Sequence, residues 1–299
     1  MTTCLLVNPA AGRGRAERLL AVALETARGH WGQVELLRTT GPGTAGSLAA
    51  EAARAGVARI LVFGGDGTVH EAANGLLTSG APIPPIGVLP IGSGNDFSNL
   101  TGTGRHPLTR VIDRLARGRV RWFDVGRAWD EYFVNSLGLG FDAIVASHVP
   151  RYRHLPGPLV YLAAAIRAFR GFRPERFEVE AGSGMETGPL FCIEVGIGVS
   201  AGGGFYLTPD AVPDDGLFDV CVVKPFGPVG FCTRMPLALK GAHTRLREVR
   251  MLRTDRLRVR TPGAAMLAHL DGELRCPGGD SIDITLEPRR LPVIVKDRG

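Results

Sequence analysis

No stretch of the 299-residue chain reaches the ~18 consecutive apolar residues that a bilayer-spanning helix needs. Nor does the start, Met-Thr-Thr-Cys, show the basic region and long apolar region of a secretion signal before the first apolar run. A cytoplasmic protein, at most peripheral to a membrane, is the expectation. Cysteine is sparse and poorly placed for a zinc site or a disulfide framework: Cys4, Cys192, Cys221, Cys232 and Cys276 are odd in number, scattered, and form no CxxC pair. They read as reduced packing residues. The GxxxxGK[ST] loop of P-loop nucleotide hydrolases is absent, and Gly12-Arg13-Gly14 lacks the third glycine of a dinucleotide fingerprint, which sets an oxidoreductase aside. There is no internal repeat and no low-complexity tail.

The composition, 44% hydrophobic and 21% charged, is that of an ordinary globular protein and excludes disorder. The length favours two domains. A net charge of +6 and a pI near 9.4 favour anionic partners, whether nucleotides, nucleic acid or anionic lipid, and charge does not choose among them. Genomic base composition is an equally good account of part of the arginine excess.

The first third alternates short apolar runs with helical stretches. Strands are expected at Thr3 to Val7, Val34 to Arg38, Arg59 to Phe63 and Pro85 to Leu89, and helices at Ala16 to Arg28, Gly43 to Ala55 and Val69 to Leu77. This β-α repetition implies a parallel sheet with its active edge at the carboxyl ends of the strands. After Asp124 the pattern changes to short strands between turn signals, at Tyr132 to Ser136, Phe177 to Glu180, Phe191 to Val199, Leu217 to Val223, Leu257 to Arg260, Ala265 to Leu270 and Ile282 to Leu286. That spacing suggests a mostly antiparallel β domain, interrupted by helices at Leu159 to Phe169 and Gly230 to Lys240. The domains expected are 1–124, with 288–299 returning to it as a strand at Leu291 to Val295, and 125–287.

Three glycine-rich turns follow three of the expected strands. Asn8-Pro9-Ala10-Ala11-Gly12-Arg13-Gly14 could turn backbone N–H groups toward a phosphate, although an ordinary βα turn explains it as well. Gly64-Gly65-Asp66-Gly67-Thr68 allows close backbone approach and positive φ; its Asp can hold a cation or a sugar hydroxyl, and Thr68 can cap the next helix. Pro90-Ile91-Gly92-Ser93-Gly94-Asn95-Asp96-Phe97 offers a hydroxyl, an amide and a carboxylate where phosphoryl chemistry needs orientation and a metal. Asp271-Gly272 between apolar runs is a hairpin signal, and a carboxylate at a hairpin tip is also well placed to act on a ligand.

Together these segments resemble the diacylglycerol kinase catalytic-domain family, which includes sphingosine kinases and bacterial lipid kinases. The likeness runs from Asn8 to Glu273 through Thr39-Thr40, Asp124-Val125-Gly126, the stretch Asn135-Ser136-Leu137-Gly138-Leu139-Gly140-Phe141-Asp142, and Gly202-Gly203-Gly204. It continues through Asp214-Asp215-Gly216-Leu217-Phe218-Asp219, Lys240-Gly241-Ala242-His243 and Leu270-Asp271-Gly272-Glu273. The resemblance implies an α/β phosphofructokinase-like nucleotide-binding domain, a β-sandwich second domain that takes the lipid, and an active site in the cleft between them. It implies ATP and Mg2+ as cofactors, with ATP held by Asn8, Pro9, Ala10, Ala11 and Gly12, by Thr40, by Gly65, Asp66, Gly67, Thr68, Val69, His70 and Glu71, and by Ser93. Asp66 and Asp96 are candidates for the nucleotide's magnesium, and Val212, Asp215 and Leu217 for a structural one. Asp271 or Glu273 would be the base that deprotonates the lipid hydroxyl, with Asp271 favoured because its shorter side chain is easier to hold in one position.

Three positions depart from the family pattern: Ser93 for Thr, His70 for Asn, and Ile197 for Asn. The last puts substrate identity in doubt more than catalysis. The expected partners are a lipid substrate and a membrane surface, with no nucleic acid; monomer or homodimer stays open. From Arg151 to Arg176, arginines flank the apolar run Leu159 to Ile166, which suits an interfacial helix on anionic lipid and equally a domain-covering helix with solvated arginines. The alternatives kept are an NAD kinase or other soluble-substrate kinase on the same fold, and a catalytically silent nucleotide- or lipid-binding protein.

Overall fold

The computed structural model describes residues 2–104, 106–152, 154–155, 159–182 and 184–297. The chain divides into two compact units, Met1–Asp124 with Pro288–Gly299, and Val125–Glu287.

The first unit begins β1 (Thr3–Val7), α1 (Ala11–Trp31), β2 (Val34–Arg38), α2 (Thr44–Arg54), β3 (Arg59–Gly64), α3 (Asp66–Thr78) and β4 (Ile86–Pro90). It continues with α4 (Phe97–Thr101), α5 (Leu108–Ala116) and the start of β5 (Arg119–Ala128). β1 pairs in parallel with β2 and β3, and β3 with β4, so the carboxyl ends of β1, β3 and β4 lie side by side. All five residues of β1 are buried, as expected of a parallel strand covered on both faces. α1 buries Ala16, Leu20, Ala23 and Ala27, one stripe at helical spacing. α2 and α3 cross at glycines: a Cβ built on Gly75 would stand 2.0 Å from the carbonyl oxygen of Gly46.

In the second unit come β6 (Glu131–Phe133), β7 (Ser136–Gly140), α6 (Phe141–His148), α7 (Leu159–Phe169), β8 (Glu175–Ala181), β9 (Gly184–Leu190) and β10 (Cys192–Gly196). Next are β11 (Phe218–Val223), α8 (Pro228–Ala238), β12 (Val249–Thr254), β13 (Arg256–Arg260), β14 (Ala268–Leu270), β15 (Glu273–Arg275) and β16 (Ser281–Val295). One antiparallel sheet runs β12-β11-β10-β7-β14-β15. The other pairs the first part of β16 with β13, then β8 and β9. Leu137, Ile193, Val220 and Leu270 of the first sheet share a buried core with Phe177, Val179, Val259 and Ile284 of the second, so this unit is a sandwich. β16 continues into the first unit, where Val293 pairs in parallel with Ile86 of β4.

Several boundaries differ from expectation. α1 starts early, but Gly12, Arg13 and Gly14 have left-handed backbone and the regular helix begins after them. The expected strand Tyr132 to Ser136 is broken into β6 and β7, because the amides of Val134, Asn135 and Ser136 turn toward Asp271 instead of a neighbouring strand. α6 went unanticipated: a glycine-rich motif precedes it and it is only eight residues long.

Gly75→Ala tests the helix crossing. Alanine improves helix propensity by about 1 kcal/mol, yet its Cβ would meet backbone, which cannot swing away. A net destabilisation of about 1–3 kcal/mol in urea unfolding is expected; an unchanged or raised midpoint would contradict the close crossing.

Candidate active site

In the first unit the three glycine turns are bonded to one another. Asn8 donates its backbone N–H to the Phe63 carbonyl (3.0 Å), its side-chain amide donates to the Thr68 hydroxyl (3.1 Å), and its side-chain oxygen accepts the Ala10 N–H (3.1 Å). Gly12 has φ +58°, and a Cβ there would lie 2.4 Å from the Ile91 carbonyl oxygen. The second and third turns meet backbone to backbone: a Cβ on Gly92 would stand 2.7 Å from Gly65 Cα. Asp66 completes the junction by accepting the N–H groups of Asn95 (2.6 Å) and Phe97 (3.2 Å). Asn95, itself at φ +59°, closes the third turn by accepting from the Gly92 N–H and donating to the Gly92 carbonyl, both at 2.7 Å.

This arrangement corrects one expectation. Thr68 does not cap α3; Gly65 is the residue before the helix, Asp66 is the first in it, and Thr68 lies inside with its hydroxyl turned to Asn8. Gly65, Asp66 and Gly67 are partly exposed at this helix start, and Ser93 is exposed at the tip of the third turn. Val69 and His70 are buried inside α3. Glu71 accepts the Ala45 N–H (3.2 Å) and thereby ties α3 to the first turn of α2. Thr40 is exposed, and its N–H donates to the Thr44 hydroxyl (3.2 Å). Asp96 is buried at the start of α4, and Asp124 is buried with its carboxylate accepting the Arg289 N–H (2.8 Å). Pro9, Ala10 and Ala11 complete the rim of the first turn.

In the second unit Asp271 and Gly272 join β14 to β15 with φ values of +52° and +89°, a hairpin turn that glycine and aspartate favour. The Asp271 carboxylate accepts the N–H groups of Val134 (3.0 Å), Asn135 (2.8 Å) and Ser136 (3.0 Å), so backbone fixes its position. Glu273, partly buried, opens β15. At the expected structural metal position, Asp215 accepts the Leu217 N–H (3.1 Å) and is ion-paired with Arg253. A guanidinium therefore occupies the carboxylate that a cation would use, and Val212 is exposed.

The sequence did not single out a different group. Asp142, Glu194 and His269 bring side-chain donor atoms within 4.8 Å of one another. His269 Nε2 lies 2.5 Å from Asp142 Oδ2. Burial works against the charged Asp142 carboxylate, but contact with His269 and hydrogen bonds with His269 and Glu194 outweigh it and hold Asp142 below the usual carboxylate range. Asp142 closes one of the quoted motifs and His269 falls in the expected strand Ala265 to Leu270, though nothing in their spacing said that they meet.

Beside this group opens an apolar cavity of about 110 Å3, partly open to solvent, with Phe141, Val145, Ala165, Phe191, Phe231 and Met235 among its walls. Its few polar walls are subdued. Burial pushes His243 below the ordinary histidine range, although its contact with the Leu207 carbonyl acts the other way. Arg234 is paired with Glu248 at 2.8 Å, and burial pushes the Cys192 thiol well up.

Sequence comparison then decides the family. Residues 2–128 match the diacylglycerol kinase catalytic domain, and residues 135–295 match the YegS C-terminal NAD kinase beta sandwich-like domain. A diacylglycerol kinase of Bacillus subtilis is 30% identical over 90% of this chain and 88% of its own length. The chain belongs to the diacylglycerol kinase family. A second family member, a diacylglycerol kinase of Mycobacterium tuberculosis, is 30% identical over 91% of this chain and 88% of its own. The fold of the kinase is shared with a crystal structure of a Bacillus anthracis diacylglycerol kinase, with TM-score 0.75, 21% identity, and coverage of 99% of this chain and 97% of that one. It is shared more loosely with an Archaeoglobus fulgidus NAD kinase solved in complex with ATP, at TM-score 0.54, 13% identity, and coverage of 99% and 94%.

Asn95→Gly isolates the clasp of the third turn, since glycine accepts the same positive φ and loses only the side-chain bonds. Stripping the Gly92 N–H and carbonyl of partners should cost about 1–3 kcal/mol in urea unfolding. An unchanged midpoint would show that solvent replaces the clasp without loss.

Proposed function

We propose that this kinase transfers the γ-phosphate of ATP to a hydroxyl of a lipid. The observation that carries this reading is the apolar cavity of the second unit. A dinucleotide such as NAD would need donors and charges to meet its phosphates and riboses, whereas a wall of Phe, Val, Ala and Met with a neutral His243 suits acyl or alkyl chains. The NAD kinase reading is supported only by the shared fold.

The ATP phosphates would lie at the joined turns, against Asn8 to Gly12, Gly65 to Glu71 and Ser93, with Thr40 beside them. Asp66 and Asp96 fit a nucleotide-bound Mg2+ by chemistry: both are carboxylates, hard oxygen donors of the kind that ion prefers, and they stand in the turns after β3 and β4 that the Asp66 bonds to Asn95 and Phe97 join. When bound, the ion would neutralise charge developing on the transferred phosphoryl group. Asp271 is the proposed base. Its three backbone donors aim the carboxylate, which takes the hydroxyl proton as the lipid oxygen bonds to the γ-phosphorus and the bond to the ADP oxygen breaks. Glu273, two residues on, is the alternative.

A peripheral membrane site follows from the same reading. α7 buries Val160, Ala164, Ala165 and Ala168, and exposes Leu159 and Ile166. Arg167 near its end, Arg170 and Arg173 just after it and Arg176 in β8 are exposed, and Arg151 lies in the 3-10 turn after α6; Arg153 lies outside the described residues. α7 is a covering helix first, and its outer side suits anionic lipid. No helix among the described residues is long and apolar enough to cross a membrane.

The test of the reading is transfer of labelled γ-phosphate across a panel of diacylglycerol, sphingoid base, phosphatidylglycerol and glycolipids, with NAD included. Label in a lipid is expected; label in NAD alone would overturn the reading. Asp271→Asn should lower kcat about 10²–10⁴-fold with ATP affinity nearly intact, and loss confined to Glu273→Gln would move the base to Glu273. Binding to vesicles should be stronger with anionic lipid and weaken as salt rises; equal binding to neutral vesicles would exclude the arginine surface.

A further inference from the structure

The polar group behind the cavity is built by strand alternation. On β7, β10 and β14 the flanking residues Leu137 and Leu139, Ile193 and Val195, and Ala268 and Leu270 are in the sandwich core. The residues between them, Gly138, Glu194 and His269, therefore face the opposite side of the sheet. Gly138 is in register with both Glu194 and His269. A Cβ on it would stand 2.3 Å from His269 Nε2, 2.6 Å from Asp142 Oδ2 and 2.8 Å from Glu194 Oε2, so glycine alone leaves room for the three to gather.

A cation among them is the obvious reading, and the histidine argues against it. Gly272 donates its N–H to His269 Nδ1 at 3.2 Å. A ring nitrogen that accepts an N–H holds no proton, so the neutral ring carries its proton on Nε2 and donates it to Asp142. Ligation through Nε2 would move that proton to Nδ1 and set it against the Gly272 N–H.

His269 therefore links two features that matter. On one side is Asp142, in the wall of the apolar cavity; on the other is Gly272, next to Asp271 in the hairpin turn. We propose that His269 is a positioning residue: through the Gly272 amide it fixes the turn that presents Asp271, and through Asp142 it couples that turn to the cavity wall. The inference rests on the reading of Asp271 as the base. A filled cavity holds Asp142, and with it His269 and the turn, in the geometry that the base requires; the effect belongs to kcat for the lipid and not to ATP binding.

The first measurement is 15N NMR of the histidine-labelled wild-type protein. The His269 ring is expected with a protonated Nε2 and a bare Nδ1; a proton on Nδ1 would overturn the proposal whatever the kinetics. The second uses two isosteres. In His269→Asn the side-chain oxygen stands near the place of Nδ1 and can still accept from Gly272, whereas in His269→Gln the side-chain nitrogen reaches toward Asp142 and the bond to Gly272 is lost. Lipid-dependent kcat should fall about 10–100-fold in His269→Gln and clearly less in His269→Asn, with KM for ATP unchanged in both. Equal losses, or a rise in KM for ATP, would mark a merely structural residue and overturn the role. Wild-type protein inactive on every lipid would overturn the kinase reading itself, whereas an active enzyme that fails either test overturns only the role of His269.

Discussion

The Asp66 carboxylate holds together loops that come from different parts of the first unit. Its two oxygens accept the Asn95 and Phe97 N–H groups, and so draw the turn after β4 onto the turn after β3. That approach is feasible only because Gly65 and Gly92 meet without side chains between them. The turn after β1 is bound to the same junction through Asn8 and Thr68, and through Gly12 against Ile91. Three loops that would be separately mobile on a parallel sheet become one surface of backbone amides and small side chains, and such preorganisation is what binding a polyphosphate requires.

The second unit solves a different problem with the same economy of side chains. The alternation of its central sheet puts Leu, Ile and Val into the sandwich core and leaves the other face to α6, α7 and α8. That face carries an apolar cavity with one acidic group in its wall. Asp142 can be tolerated there because it is paired with His269, and His269 is in turn held by Gly272. Burial of a lone carboxylate would be costly; its bonds to His269 offset much of that cost.

Much of this was legible in the sequence. The alternation of apolar runs and helices gave the parallel sheet of the first unit, α7 appears at Leu159–Phe169 as its pattern implied, and Asp271-Gly272 forms the hairpin that the dipeptide signals. The family was legible too, because it rests on several short motifs in a fixed order. What was hidden depended on contacts far apart in the chain. Thr68 read as a cap because a hydroxyl near a helix start usually is one; only the fold brings Asn8, 60 residues away, to claim it. The ion pair between Asp215 and Arg253, 38 residues apart, is likewise a contact that no local spacing announces. The Asp142–His269 pair spans 127 residues and follows no local spacing rule, so no pattern in the sequence announces it.

The claim on which this account turns is that the Asp66 junction makes the nucleotide site. Calorimetric titration of ATP with Mg2+ into wild-type protein and into Asp66→Ala, with unfolding followed in parallel, tests it directly. The account predicts a variant that remains folded, binds ATP with at least about tenfold lower affinity, equivalent to 1.4 kcal/mol, and transfers no phosphate. A folded Asp66→Ala protein that binds ATP as the wild type does and retains full activity would contradict it.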